Sequence, residues 1–150
     1  MRKALFVIAI LLAATVAGLA QATAATHGGA TVTTATSKLG RILVDSRGRT
    51  LYLFEKDARG HSACAGACAG FWPPLLTRAK PIAGHGAKQA LLGVIRRSDG
   101  TRQITYGGHP LYRFAPDTRP GETNGQGLHD FGAGWYVLSP AGAKIESDGS

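Results

Sequence analysis

The sequence is poor in the residues that most often announce a chemistry. It has two cysteines, Cys64 and Cys68, in 150 residues, and its single methionine is Met1. Nine acidic residues face seventeen basic ones, and no basic run reaches five. Nucleic-acid proteins concentrate their cations on a face or stripe. Here they are scattered singly or in pairs such as Arg96 and Arg97, so a nucleic-acid partner is not expected. No histidine follows the cysteines in a Cys-x-x-Cys-His pattern, which excludes covalent haem attachment of that kind. Gly125-Gln126-Gly127 precedes no helical pattern, so no phosphate-cradling loop is indicated. His129 stands beside Asp130, but no nucleophile elbow accompanies them. No window of ten or more residues beyond the N-terminal region shows a helical apolar stripe.

The N-terminal region is different. Arg2 and Lys3 precede an apolar run, Ala4 to Leu12, that continues weakly to Ala20, and Ala22-Thr23-Ala24 follows as a small-x-small site. This is the pattern of a secretory signal, and its strongly apolar part is shorter than the ~20 residues of a membrane span. The expectation is a signal peptide over residues 1–24, cleaved before Ala25, with no stable membrane insertion afterwards. The first cysteine is too far along to be lipidated. Removing Arg2 and Lys3 takes the net charge from +8 to +6. A basic surface of that size is consistent with weak attraction to anionic envelope components.

From Thr31 the chain reads as short β-prone runs separated by glycine-containing turns. Thr31–Thr36, Arg41–Asp45 and Arg49–Phe54 form one group. Leu91–Arg97, Thr101–Tyr106, His109–Phe114 and Gly134–Leu138 form a second. Asp-Gly and Gly-Gly turns favour hairpins because glycine adopts positive φ cheaply. The two groups are copies. Leu51-Tyr52-Leu53-Phe54-Glu55-Lys56-Asp57 and Leu111-Tyr112-Arg113-Phe114-Ala115-Pro116-Asp117 share Leu-Tyr-x-Phe-x-x-Asp at an offset of 60 residues, and each is followed by a tryptophan, Trp72 or Trp135. The expected fold is all-β. Two tandem repeats of about four short antiparallel strands, at about residues 31–76 and 91–140, pack as a small sandwich or barrel within one secreted domain spanning 25–150.

Side chains alternate along a strand, so Tyr52 shares a face with Phe54, and Tyr112 with Phe114. These aromatics, with Trp72 and Trp135, are the expected core, each removing ~150–250 Å² from water. The Leu51/Leu53 face, matched by Leu111/Arg113, is expected to meet water at least in the second repeat. Asp57 and Asp117 are placed to cap a turn or to accept a hydrogen bond from a tyrosine.

The doubled motif, the Cys-x3-Cys-x3-Trp-Pro-Pro-Leu stretch from Cys64 to Leu75, and Gly125-Gln126-Gly127 ahead of Trp135-Tyr136 together resemble a bacterial secreted-repeat family. Its members are often described as predicted lipoproteins with a Tyr-x-(Phe/Trp/Tyr)-x-x-Asp motif. The resemblance spans about Thr31 to Pro140. It implies export and a duplicated β-rich repeat with no established molecular activity, and it supplies no catalytic residues. The absent lipidation cysteine sets this chain apart from the lipoprotein description.

Cys64 and Cys68 therefore carry the functional question. In an exported protein a pair favours a disulfide, and four-residue spacing on a helical turn brings the Cα atoms to ~6 Å. Copper is the sharper alternative, because soft thiolates suit it and His61 extends the set to His-x2-Cys-x3-Cys. The leading expectation is an exported, non-catalytic cell-envelope repeat module. The alternative is a periplasmic redox or copper-handling protein using Cys64 and Cys68. Location is expected to be periplasmic or extracellular. The long loop Ala115–Ala133 is the second place to look for a ligand site.

Overall fold

The computed structural model describes residues 29–146, so the expected signal segment lies outside the described residues. In chain order the elements are β1 (Thr31–Ser37), β2 (Gly40–Asp45), β3 (Tyr52–Phe54), α1 (Ala67–Phe71) and β4 (Ile82–Ala83). A 3-10 turn (Gln89–Leu91) leads to β5 (Leu92–Arg96), β6 (Arg102–Tyr106), β7 (His109–Pro110), β8 (His129–Asp130) and β9 (Ala133–Val137). They form three small sheets ordered β2-β1-β4, β3-β9-β8 and β5-β6-β7. The arrangement is sandwich-like, with no closed barrel among the described residues.

Each repeat begins with a hairpin rich in Thr, Val and Ile, residues that suit a half-buried pleated surface. The β1–β2 turn ends at Gly40 (φ 88°) and the one-residue-longer β5–β6 turn contains Gly100 (φ 82°), in each case a backbone conformation that glycine reaches without strain. In the second hairpin Asp99 Oδ1 also accepts the Thr101 amide at 2.9 Å, closing the turn.

The repeats are not self-contained. Strand β3 of the first copy pairs with β9 of the second, matching Tyr52 with Val137, Leu53 with Tyr136 and Phe54 with Trp135. The reciprocal exchange uses the second tyrosine stretch. Tyr112 bridges Pro74, and the amides of Arg113 and Ala115 donate to the carbonyls of Pro73 and Phe71 at 2.9 and 2.8 Å. Between these crossings the Tyr52 amide donates to the Tyr112 carbonyl at 2.8 Å, and the Tyr112 amide returns the bond at 3.0 Å. The two motif tyrosines thus flank a pseudo-two-fold axis.

Two cores result. One holds Tyr52, Phe54, Trp72, Tyr112, Phe114 and Trp135, as the alternation of side chains requires. The other is aliphatic apart from Tyr106 and includes Leu43, Leu51, Leu53, Leu75, Leu111 and Leu138. The expectation that the leucine face meets water is therefore corrected. Leu51 and Leu111 are fully buried, because the tyrosine strands are sandwiched between the aromatic layer and the packed hairpins. Only Arg113 on that face reaches solvent, and it does so beside the Asp45 carboxylate at 3.8 Å.

Candidate functional site

The motif's polar groups meet across the repeats. Tyr52 Oη donates to Asp117 Oδ2 at 2.5 Å, and Tyr112 Oη donates to Asp57 Oδ2 at 2.8 Å. Each tyrosine therefore uses the aspartate of the other copy. The aspartates accept backbone amides as well, Asp117 from Asn124 at 3.0 Å and Asp57 from Ala63 at 2.7 Å. The expected turn and tyrosine roles are thus both filled by the same carboxylates. Burial pushes both phenols well above the ordinary tyrosine range, reinforced by the neighbouring carboxylates. Burial also raises both carboxyls, Asp117 in direction and Asp57 to about 6, against the lowering effect of the hydrogen bonds they accept.

Four rings stack between these pairs. Phe54 lies on Trp135 (centroids 4.0 Å, 7° between planes), Trp135 on Trp72 (3.9 Å, 6°) and Trp72 on Phe114 (4.3 Å, 32°). Tyr52 meets Trp72 edge-on at 5.3 Å and Tyr112 meets Trp135 likewise at 5.2 Å, an arrangement aromatic quadrupoles favour. The loop Ala115–Ala133 is drawn into this core. Gly125 donates to Tyr52 Oη at 3.3 Å and lies so close that a Cβ there would sit 2.7 Å from Trp72.

Cys64 and Cys68 are bonded to each other, with Cα atoms 5.3 Å apart across the entry to α1. Both are buried and pack in the aromatic core. In this state they offer no thiolate, and His61 is exposed. Among the described residues no group of three or more His, Cys, Asp or Glu is arranged to hold a metal ion. A copper role for His61, Cys64 and Cys68 would thus require a reduced, uncovered form.

Sequence reading missed Arg97. Its guanidinium is buried and donates to Cys64 O at 2.6 Å, and to Ser62 Oγ and Gln103 Oε1 at 2.8 Å each. Ser62 Oγ lies 2.6 Å from Tyr112 Oη, so one hydrogen-bonded chain runs from Gln103 through Arg97, Ser62 and Tyr112 to Asp57. The signal was weak: Arg96 and Arg97 stand side by side before a turn, and only strand register separates the exposed one from the buried one. The chain ties the cysteine loop to the second repeat. A serine held between a guanidinium and a phenol has no base to activate it.

Asp57 also borders a hollow of about 300 Å³ shared with Leu53, Phe54, Glu55, His109 and Lys144. Burial, with the nearby Arg59 charge, lowers the His109 pKa. His129 and Asp130 lie in β8, where His129 is exposed and the Asp130 carbonyl accepts Trp135 Nε1 at 3.0 Å. Of that pair, only the Asp130 backbone carbonyl touches the indole.

Among the described residues four large apolar side chains are exposed, Phe71, Leu76, Ile82 and Phe131, and the two phenylalanines lie together. Phe71 and Phe131 are 58% and 41% exposed, with ring centroids 6.2 Å apart, and Phe131 holds φ at +57°. Nothing in the repeat pattern marked them, since Gly134 precedes Trp135 where Phe71 precedes Trp72.

Among the described residues no helix is long and apolar enough to cross a membrane. A family model described as a secreted repeat of unknown function matches residues 33–76 and 93–139. No curated protein and no solved structure gives a significant match.

Proposed function

Because the chain belongs to the family of secreted repeats of unknown function, we propose that it is a non-catalytic module of the cell envelope, exported to the periplasm or the medium. One observation carries this reading: the groups the two repeats share are consumed in holding them together. Both motif tyrosines donate to the opposite aspartates, the tryptophans are stacked with the phenylalanines, and the sulfurs are bonded and buried. A motif occupied in this way recurs because the fold needs it. Any binding surface is left to the loops and strand edges.

Thiol titration and metal analysis of protein purified after export test the reading. The expected result is no free thiol in the native state, no stoichiometric copper, and resistance to glutathione until denaturant is added. Reduction of Cys64–Cys68 in the folded protein, followed by one-to-one copper uptake, would replace it with the redox or copper-handling role.

A further inference from the structure

The two hairpins are equivalent, but their outer edges are treated differently. On β1 the outward groups are taken by the segment that links the repeats. Gly84 donates to Val32 O at 2.7 Å and Thr34 donates to His85 O at 3.2 Å, so Ile82–His85 lies alongside β1 as a short parallel strand. The register Thr33 with Val44 corresponds to Gly93 with Thr105, which makes Leu92 and Val94 the counterparts of Val32 and Thr34.

Strand β5 is an outer strand of its sheet. Ile104, opposite Val94, spends its amide on Leu75 O at 2.9 Å and its carbonyl on Leu111 N at 3.0 Å. In an antiparallel ladder the bonded pairs alternate, so Gly93 and Ile95 face β6 while the backbone groups of Val94 and Arg96 point outward. Among the described residues, no backbone group pairs with them. The usual ways of blunting an edge are charge, proline or a bulge. This one presents half-buried Leu92, Gly93, Val94 and Ile95 in succession, with its first charge at Arg96.

We propose that the outer edge of β5 docks an extended peptide from a partner, added parallel to β5 as Ile82–His85 is to β1, with apolar residues followed by acidic ones. The β1 edge supplies the geometry. Charge sets the end: a parallel strand brings its C-terminal part to exposed Arg96, whose cross-strand neighbour is Arg102. The nearby carboxylate, Asp99, is already engaged by the Thr101 amide and hydroxyl at 2.9 and 2.6 Å. Backbone pairing supplies affinity in such strand addition, and side-chain pockets supply selection.

The test uses the full mature protein and a synthetic peptide, Thr-Ile-Ala-Val-Ile-Asp-Asp-Glu, followed by amide exchange and chemical shifts. The Val94 and Arg96 amides should exchange freely alone and become protected with peptide. N-methylation of alternate peptide amides should abolish binding, and Arg96→Glu, on an exposed side chain, should weaken it about fivefold or more. Three outcomes would overturn the proposal: Val94 already protected in the free monomer, no shifts at Leu92–Arg96 with millimolar peptide, or equal binding of the N-methylated peptide. Protection that rises with protein concentration alone would overturn it too, assigning the edge to a second copy of this chain.

Discussion

Tyr52 and Asp117 are 65 residues apart in the chain and joined by a 2.5 Å hydrogen bond. Removing the donor leaves a buried carboxylate short of a partner, which costs about 1–3 kcal/mol. Tyr52→Phe should therefore lower the denaturation midpoint by that order. Tyr112→Phe should cost less, because Asp57 is half-buried and can turn to water; urea titration of both variants checks the ranking. Asp57 also sets a pH dependence. Its folded pKa of about 6 lies above the ordinary aspartate value of 3.8, so the folded state binds the proton more tightly. Its contribution to stability is then present at low pH and is lost as pH rises from about 4 through about 6. The stability of the parent relative to Asp57→Asn should fall over that window, and a constant difference from pH 4 to 7 would contradict the account. The sequence showed that these aspartates could accept from a tyrosine. It did not show which tyrosine, because identical motifs allow pairing within or across repeats and only the strand exchange decides.

At the scale of elements, seven runs of β-prone residues named the hairpins and the tyrosine strands to within a few residues, since alternation and turn glycines are local signals. What escaped was either short or dependent on partners. Strands β4 and β8 have two residues each, and α1 has five, too few for a periodic stripe. The leucine face was misread because burial on both faces of a strand erases the alternation that marks a single buried face. Packing at Gly125 gives a direct test. A Cβ there meets Trp72 at 2.7 Å and Tyr52 at 3.0 Å, so Gly125→Ala should destabilise by about 1–3 kcal/mol. Gly70→Ala, in exposed helix with nothing within 4 Å, should be neutral or stabilising by up to about 1 kcal/mol. Thermal melts of the pair separate close packing from a general aversion to substitution. Replacing both cysteines by serine should cost about 2 kcal/mol through the small loop they close.

For the whole molecule, the exchange of β3 and β9 means that neither repeat alone completes the β3-β9-β8 sheet or the aromatic stack. Fragments 25–87 and 88–150, prepared separately, should each lack the near-ultraviolet signal of ordered indoles and regain it on mixing as a one-to-one complex. A native-like signal from either fragment alone would show that the repeats are independent. The same exchange governs how the protein comes to be folded after export. Tyr52 has to wait for Val137, 85 residues later, before its sheet can close. If the chain is exported unfolded and N-terminus first, that sheet stays open until nearly all of the chain has emerged. Cys64 and Cys68, four residues apart, need wait for nothing. Given an oxidant on the far side, the staple can then close while the rest is still in transit.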